Sequence, residues 1–240
     1  MAGRGKAPRT ASIERKYARQ LMKVARHVGD IVNGFPTADP ASVAPIQRAL
    51  GDYSELITGW AAQQATEMLQ AVNRLDEAAW RARSVEMAAW MRRELRETPV
   101  GQLMRMRLDE QVHLIKSLPI DAGRRVHDLT IEALENSGRA AEIAKEIERT
   151  THVTKSRAQL IARTEVARTS AELVEARSTH IGAEGYIWRT SEDGDVRDSH
   201  KEMNGKYVPW STPPTLSDGT TTHAGMIYNC RCYPDPVIPE

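Results

Sequence analysis

The sequence predicts a mostly α-helical protein: a long helical N-terminal region followed by a small, turn-rich α+β C-terminal domain. Three observations carry this reading. Aromatic residues are scarce, with a single Phe in 240 residues, and the helix formers Ala, Arg, Glu, Leu and Met dominate, which favours long helices over a sandwich or barrel. Before Tyr186, apolar side chains recur at steps of three and four, the period of a helix face. From Tyr186 to Pro236 that period breaks, and short apolar pieces alternate with the Gly, Pro, Asp and Ser of tight turns.

The elements divide into residues 1–35, 36–153 and 154–240. Residues 1–11 are small and basic, with too little apolar content to fold alone. Ser12 reads as the cap of a first helix, along which Ile13, Tyr17, Leu21, Val24, Val28 and Ile31 form an apolar stripe. The opposite face carries Arg15, Lys16, Arg19, Lys23 and Arg26. Such a helix either docks on the chain's own core or forms an arm. An arm would offer Ile13, Tyr17, Leu21, Val24 and Val28 to a partner, and Arg15, Lys16, Arg19 and Lys23 to DNA phosphates. Gly34 and Pro36 end it.

From Val43 to Arg96 the text reads as nearly unbroken helix, with Gly51 and Gly59 as joints. Trp60, Met68, Val72, Trp80, Met87, Trp90 and Met91 suit the packing faces of a bundle. Thr98 and Pro99 restart a helix that ends at Leu118-Pro119. Asp121 caps the next, closed by Asn136-Ser-Gly138, and a short helix follows through Ala140, Ile143, Ala144 and Ile147. A linking helix begins near Thr154, with Leu160, Thr164, Ala167, Ala171 and Val174 on a side of small residues. Arg163 and Glu165 point to different faces of it, so each needs its own partner, and Arg168 is placed to pair with Glu165. Short strands are expected at Tyr186–Arg189, Lys206–Val208 and Met226–Tyr228.

Global properties bound the function. The chain can hold one sizeable domain or two small ones. Its net charge of +1 argues against holding nucleic acid by bulk electrostatics. Two cysteines so close together cannot build a disulfide framework, which points to a reducing cytoplasm. No apolar stretch is long enough to cross a bilayer and none follows the basic start, so a soluble protein with no membrane partner is expected.

The chemistry collects in the last fifty residues. Cys230 and Cys232 form Cys-x-Cys there, alongside His200 and His223. Four thiolate and imidazole ligands are what a closed tetrahedral zinc site needs, in a segment too small for a large core. The same residues also suit two reduced, partly buried cysteines beside ordinary histidines. A Cys230–Cys232 disulfide would close a small, strained ring. Asp193, Asp195, Asp198, Glu202 and His200 could instead form a metal-dependent hydrolase or nuclease centre, with Arg197 holding a phosphate. No phosphate-cradling Gly-Lys-Ser/Thr loop, serine-hydrolase elbow or zinc-protease helix motif is present.

Three runs in order carry a resemblance: Trp188-Arg-Thr-x-x-Asp193-x-x-Val-Arg197-x-x-His200, then Asn204-Gly205-Lys206, then His223 and Asn229-Cys-Arg-Cys232. With Leu114-Ile-Lys-Ser-Leu-Pro119 and Ala158-x-Leu-Ile-Ala-Arg163-Thr-Glu165 as a lead-in, the chain resembles the phage Mu F-like head morphogenesis proteins over roughly residues 110–236. These are minor capsid proteins encoded beside the portal protein of tailed phages. In many relatives the positions of Arg197 and His200 are both Cys, and a His precedes the Asn-Cys-Arg-Cys run. The resemblance therefore implies a structural zinc site at His200, His223, Cys230 and Cys232, with the first thiol replaced by Arg197. Arg197 could pair with Asp193 or Asp198 in place of coordination. Arg163 or Glu165 is expected to be buried against the C-terminal unit as an orienting polar contact. The resemblance also implies a non-enzymatic virion protein near the portal vertex, made in the host cytoplasm. Its partners would be the portal protein, the scaffold or major capsid protein, and the packaged DNA.

Overall fold

A computed structural model describes residues 10–87, 89–135, 140–192 and 194–239. Seven helices precede the first strand: α1 (Ala11–Asn33), α2 (Val43–Leu56), α3 (Thr58–Arg83), α4 (Ala89–Glu97), α5 (Val100–Glu135), α6 (Ala140–Glu148) and α7 (Thr150–His180). Then come β1 (Gly185–Arg189), the single turn α8 (Asp198–Lys201), β2 (Tyr207–Pro209) and β3 (Tyr233–Pro236). The mostly α architecture with a small α+β end is as the sequence predicts. Among the described residues, no helix is long and apolar enough to cross a membrane.

The chain does not divide into consecutive blocks. Of the described residues, those in 15–66 and 108–162 form one compact unit, and those in 10–14, 67–107 and 163–239 form the other. The three longest helices, α3, α5 and α7, each contribute to both, because a helix of 26 to 36 residues outruns the core of a small unit.

The first unit is a helical bundle. Tyr17, Leu21, Val24 and Val28 of α1 are buried, Ile13 is half-buried, and the Tyr17 hydroxyl donates to Gln111 Oε1 at 3.0 Å. The face expected to reach a partner is thus consumed by the chain's own core. An apolar stripe says that a helix must be covered but not by what. The basic face, with Arg15, Lys16, Arg19 and Lys23, stays exposed. Gly29 permits the closest approach in this unit, since a Cβ there would lie 2.1 Å from Thr151 Oγ1.

Two boundaries differ from expectation. Of the two joints expected between α2 and α3, the observed one at Ile57 lies beside Gly59 and not at Gly51, and α5 runs through Pro119 without stopping. Pro119 withholds one intrahelical hydrogen bond, worth about 3 kcal/mol with its steric clash. Ile115, Leu118, Ala122 and Val126 are all buried around it, and burial at about 1.5–3 kcal/mol per large side chain outweighs one missing bond. The expected closure at Asn136-Ser-Gly138 lies outside the described residues. The short helix after it forms as α6, and α7 begins at Thr150, one turn earlier than expected. Leu160 is exposed instead of packed.

In the second unit the sheet order is β2-β1-β3, antiparallel throughout. Met226–Tyr228, expected as a strand, lies in turns, and the third strand is Tyr-Pro-Asp-Pro instead. Val237 donates its N–H to Gly185 O at 3.0 Å, so by alternation residues 233 and 235 also face β1. Pro234 and Pro236 then point their nitrogens away from the sheet, where an edge strand needs no donor. Over the sheet pack Tyr186, Trp188, Val208, Trp210, Leu216 and Ala224.

Helix α7 is buried nearly all round in its middle, and it carries charge inward. Arg177 forms a buried ion pair with Asp76 and also reaches Asn73 Oδ1 at 2.9 Å. Burial pushes the Asp76 carboxyl up to about 6, with Arg177 only partly offsetting it. A raised carboxyl pKa means stability that is complete below the unfolded value near 4 and is lost as pH rises through about 6. From 3.8 to about 6 the difference amounts to about 3 kcal/mol. Chemical denaturation of the wild type should therefore show this loss between pH 4 and 6. The Asp76→Asn variant should show a flatter profile there, and an unchanged profile would refute the assignment.

Candidate metal centre

The site is assembled from two short pieces of chain and one helix. His200 sits on the one-turn helix α8, whose Ser199 hydroxyl donates to Asp218 Oδ2 at 2.8 Å while Thr220 N–H donates to Asp218 Oδ1 at 2.9 Å. These two bonds hold the Asp218 carboxyl below the usual carboxylate range. They also fix the turn that aims His200 inward against the edge of Trp188, with ring centres 5.4 Å apart.

The Cys230–Cys232 segment is held by α7. Thr164 Oγ1 accepts the Asn229 N–H at 3.0 Å, Arg163 Nη1 donates to Asn229 Oδ1 at 2.9 Å, and Arg168 Nε donates to Met226 O at 3.1 Å. Asn229 itself is left-handed (φ 54°), a conformation that Asn tolerates better than most residues. Gly225, also at positive φ, lets Cys232 O approach to 3.0 Å of where a Cβ would stand. Glu165 points elsewhere, to Arg107 at 2.5 Å and Arg168 at 3.4 Å. Of the two residues expected to orient the C-terminal unit, Arg163 makes that contact, and Glu165 is buried in a separate ion-pair set. Thr164, read from sequence only as a small packing residue, is the third anchor. Nothing in its residue type marks it for that role.

His200, Cys230 and Cys232 are buried to 2–4% exposure. Their donor atoms all lie within 4.8 Å of one another. His200 Nδ1 stands 3.4 Å from Cys232 Sγ and 3.5 Å from Cys230 Sγ. Bonds of about 2.0 Å to nitrogen and about 2.3 Å to sulfur at a tetrahedral angle separate such atoms by about 3.5 Å. The three donors therefore fit zinc by type and by spacing. Hydrogen bonds from the Cys232 thiol, His200 and the Cys232 N–H lower the Cys230 pKa against burial, while holding that proton and burial raise that of Cys232, so the pair favours a single thiolate. The buried Trp188 indole N–H has no hydrogen-bond partner of ordinary geometry among the described residues, and it acts on Cys232 to favour the thiolate.

His223 does not join this group. Its Nδ1 lies 3.1 Å from the Tyr186 hydroxyl, which also accepts the Ala224 N–H at 3.1 Å, and burial lowers its pKa. A histidine in a compact unit can serve the core as well as an ion, and this one is tied to Tyr186 and packed on Trp210. Among the described residues, Arg197 does not pair with Asp198, which bonds Lys201 instead. Arg197 donates to Tyr228 O at 3.2 Å and lies over the Tyr228 ring, 5.0 Å from its centre. Asp198 pairs with Lys201, and Asp195 pairs with Arg231, both carboxylates being exposed. Asp193 lies outside the described residues. A cavity of about 20 Å³, lined by Ser191, Asp195, Arg197 and Asn229 among others, adjoins the three donors.

The Thr164→Val variant keeps the shape of the side chain and removes the acceptor for the Asn229 N–H. It should lower the stability of the chain by about 1–3 kcal/mol in denaturant titrations. A variant as stable as the wild type would show that α7 does not anchor the cysteine loop.

Residues 124–234 match the family described as "Phage Mu protein F like protein". A protein of Haemophilus influenzae named "Uncharacterized protein" is 32% identical over 127 residues. That alignment covers 53% of this chain and 28% of the relative, so the chain spans under a third of that protein's length. No solved structure matches. The matched residues run from α5 to β3 and take in α7, the sheet and all three buried donors; over residues 124–234 the chain is similar to the phage Mu protein F-like family.

Proposed function

We propose that the chain is a phage head-morphogenesis protein that works by docking, at or near the portal vertex of the virion, and that His200, Cys230 and Cys232 hold a structural zinc ion. The observation that carries the reading is the closure of the site inside a Mu F-like region. The three donors are buried; the cavity lined by all three, about 20 Å³, has room for about one water, and a second of about 170 Å³ reaches Cys232 alone among them. Ligand pockets run to roughly 300–1,000 Å³. The ion would supply folding free energy directly and fix the order of the turns around it. The portal protein is the first expected partner, with scaffold or major capsid protein and packaged DNA as further ones. Because the apolar side of α1 belongs to the core, the docking face is sought among exposed groups, starting with Arg15, Lys16, Arg19 and Lys23.

A second reading draws on the count of protein ligands. Three ligands with an open fourth position is the pattern of catalytic zinc, and a metal-dependent nuclease would use it to activate water. The small cavity and the outward ion pairs of Asp195 and Asp198 favour the structural role.

The two readings separate in one set of measurements. Elemental analysis of protein purified without chelator should find about one zinc per chain. Chelation, or Cys230→Ser, should lower the melting temperature by several degrees, and metal-free wild type would remove the zinc assignment. Linear DNA incubated with the zinc-loaded protein should stay intact. Cleavage lost in His200→Ala would promote the nuclease. Co-purification with the co-expressed portal protein should weaken on reversing Arg19 and Lys23 to Glu.

A further inference from the structure

The largest described cavity lies in the unit of residues 67–107 and 163–240, away from the buried donors. It measures about 510 Å³ and is lined by Glu77, Arg81, Ser84, Arg92, Arg96 and Thr98, together with Trp80, Val100 and Arg177. Among the described residues, four guanidinium groups thus face one space against one carboxylate. Arg177 is accounted for by buried Asp76, and it also draws on Glu77 at 3.6 Å. Among the described residues, Arg81, Arg92 and Arg96 form no ion pair. Arg92 is held in place by the main chain, since its Nη1 donates to Met87 O at 2.7 Å and Ser84 O at 3.3 Å. It thereby presents the rest of its planar fork at no further ordering of that side chain. Helix α5 starts at this cavity with no acidic residue in its first turn, and the positive end of its dipole adds to the field there.

Three like charges and a helix start around one hollow repel one another unless an anion is present. An arginine fork can donate two parallel N–H bonds to two oxygens of one phosphate, where a lysine offers only a point charge. The volume lies in the range of small-ligand sites. We infer that this cavity binds a phosphate group, with Arg81 and Arg96 as its contacts and Arg92 as a pre-oriented third. The group could be carried by a free nucleotide or polyphosphate, or by a nucleic-acid strand. This inference is independent of the metal centre and of the docking reading.

The experiment uses the full chain and four probes: pyrophosphate and ATP by calorimetry, and fluorescein-labelled single-stranded and duplex DNA by anisotropy. At least one probe should bind at low salt. Arg81→Ala with Arg96→Ala should weaken that binding by roughly tenfold or more, as expected for lost charge-assisted hydrogen bonds. The matched loss of charge in Arg48→Ala with Lys206→Ala should leave it unchanged. Binding of ATP or pyrophosphate identifies the free-phosphate source. Binding of DNA alone identifies the strand, and the double variant should then reduce the salt dependence of duplex affinity by about two in log–log slope. Arg81→Lys with Arg96→Lys retains the charge and should recover part of the affinity, which excludes a folding defect. The inference is overturned if no probe binds, or if the arginine and control variants behave alike.

Discussion

The grip of α7 on the main chain at Met226 and Asn229 is the constraint on which the C-terminal unit depends. Strands of five, three and four residues cannot by themselves organise the turns between Thr190 and Cys232. A buried turn must still find partners for its N–H and C=O groups. Thr164 and Arg168 supply them from consecutive turns of one helix while Arg163 holds the Asn229 side chain, so the loop has one position along α7 and one orientation. Asn229 then turns the chain through its left-handed conformation directly before Cys230. With His200 held from the other side by the Ser199–Asp218 bond, both sulfurs come to stand within 3.5 Å of one imidazole nitrogen.

Much of this was legible in the sequence, and the parts that were not share physical causes. Helix identity followed from periodicity, which reports that a face is covered. It could not say that Leu21 and Val28 are covered by their own chain and not by a partner. Pro119 was read as a stop because Pro lacks a donor, and no strand was expected at the prolines of β3. That reasoning holds only where the donor is needed, and neither the packed middle of α5 nor the outer side of an edge strand penalises its loss enough. Consecutive domain blocks failed because α3, α5 and α7 are each longer than the units they serve. At the site, the residue types identified Cys230, Cys232 and His200, since few other uses concentrate thiols and imidazole in a turn-rich segment. Type alone could not separate His223, which hydrogen-bonds through its ring equally well to Tyr186. Thr164 carried no chemical flag, because a hydroxyl that accepts one main-chain N–H looks like any small helix residue.

Charge follows a related logic. The chain is near neutral overall, yet it buries Arg107, Glu165, Asp76 and Arg177. Buried ions are tolerated only in sets, because a single one left unpaired is far more costly than the pair. Arg107 is shared between Glu165 and Glu172, and Glu165 between Arg107 and Arg168. Arg168 also holds Met226 O. The ion-pair set and the loop clamp therefore meet in one side chain. This explains why Arg163, Thr164 and Glu165 stand together in sequence while serving different faces: α7 has solvent on little of its middle, and each polar group there must be answered locally.

That arrangement also bears on what an ion at His200, Cys230 and Cys232 would add. The donors are 30 and 32 residues apart in sequence, and without metal they are joined only by weak hydrogen bonds to sulfur. Closing a loop of about thirty residues removes several kcal/mol of entropy from the unfolded chain, and the amount rises only slowly with loop length. A metal clip placed there would therefore act on the whole span from α8 to β3 at once, including β2 and the Leu216–Thr220 turn. The α7 clamp, by contrast, fixes only the far end of that span. The two devices are complementary: hydrogen bonds from the helix set where the cysteine loop sits, and the shared imidazole ties the rest of the turn-rich segment to it.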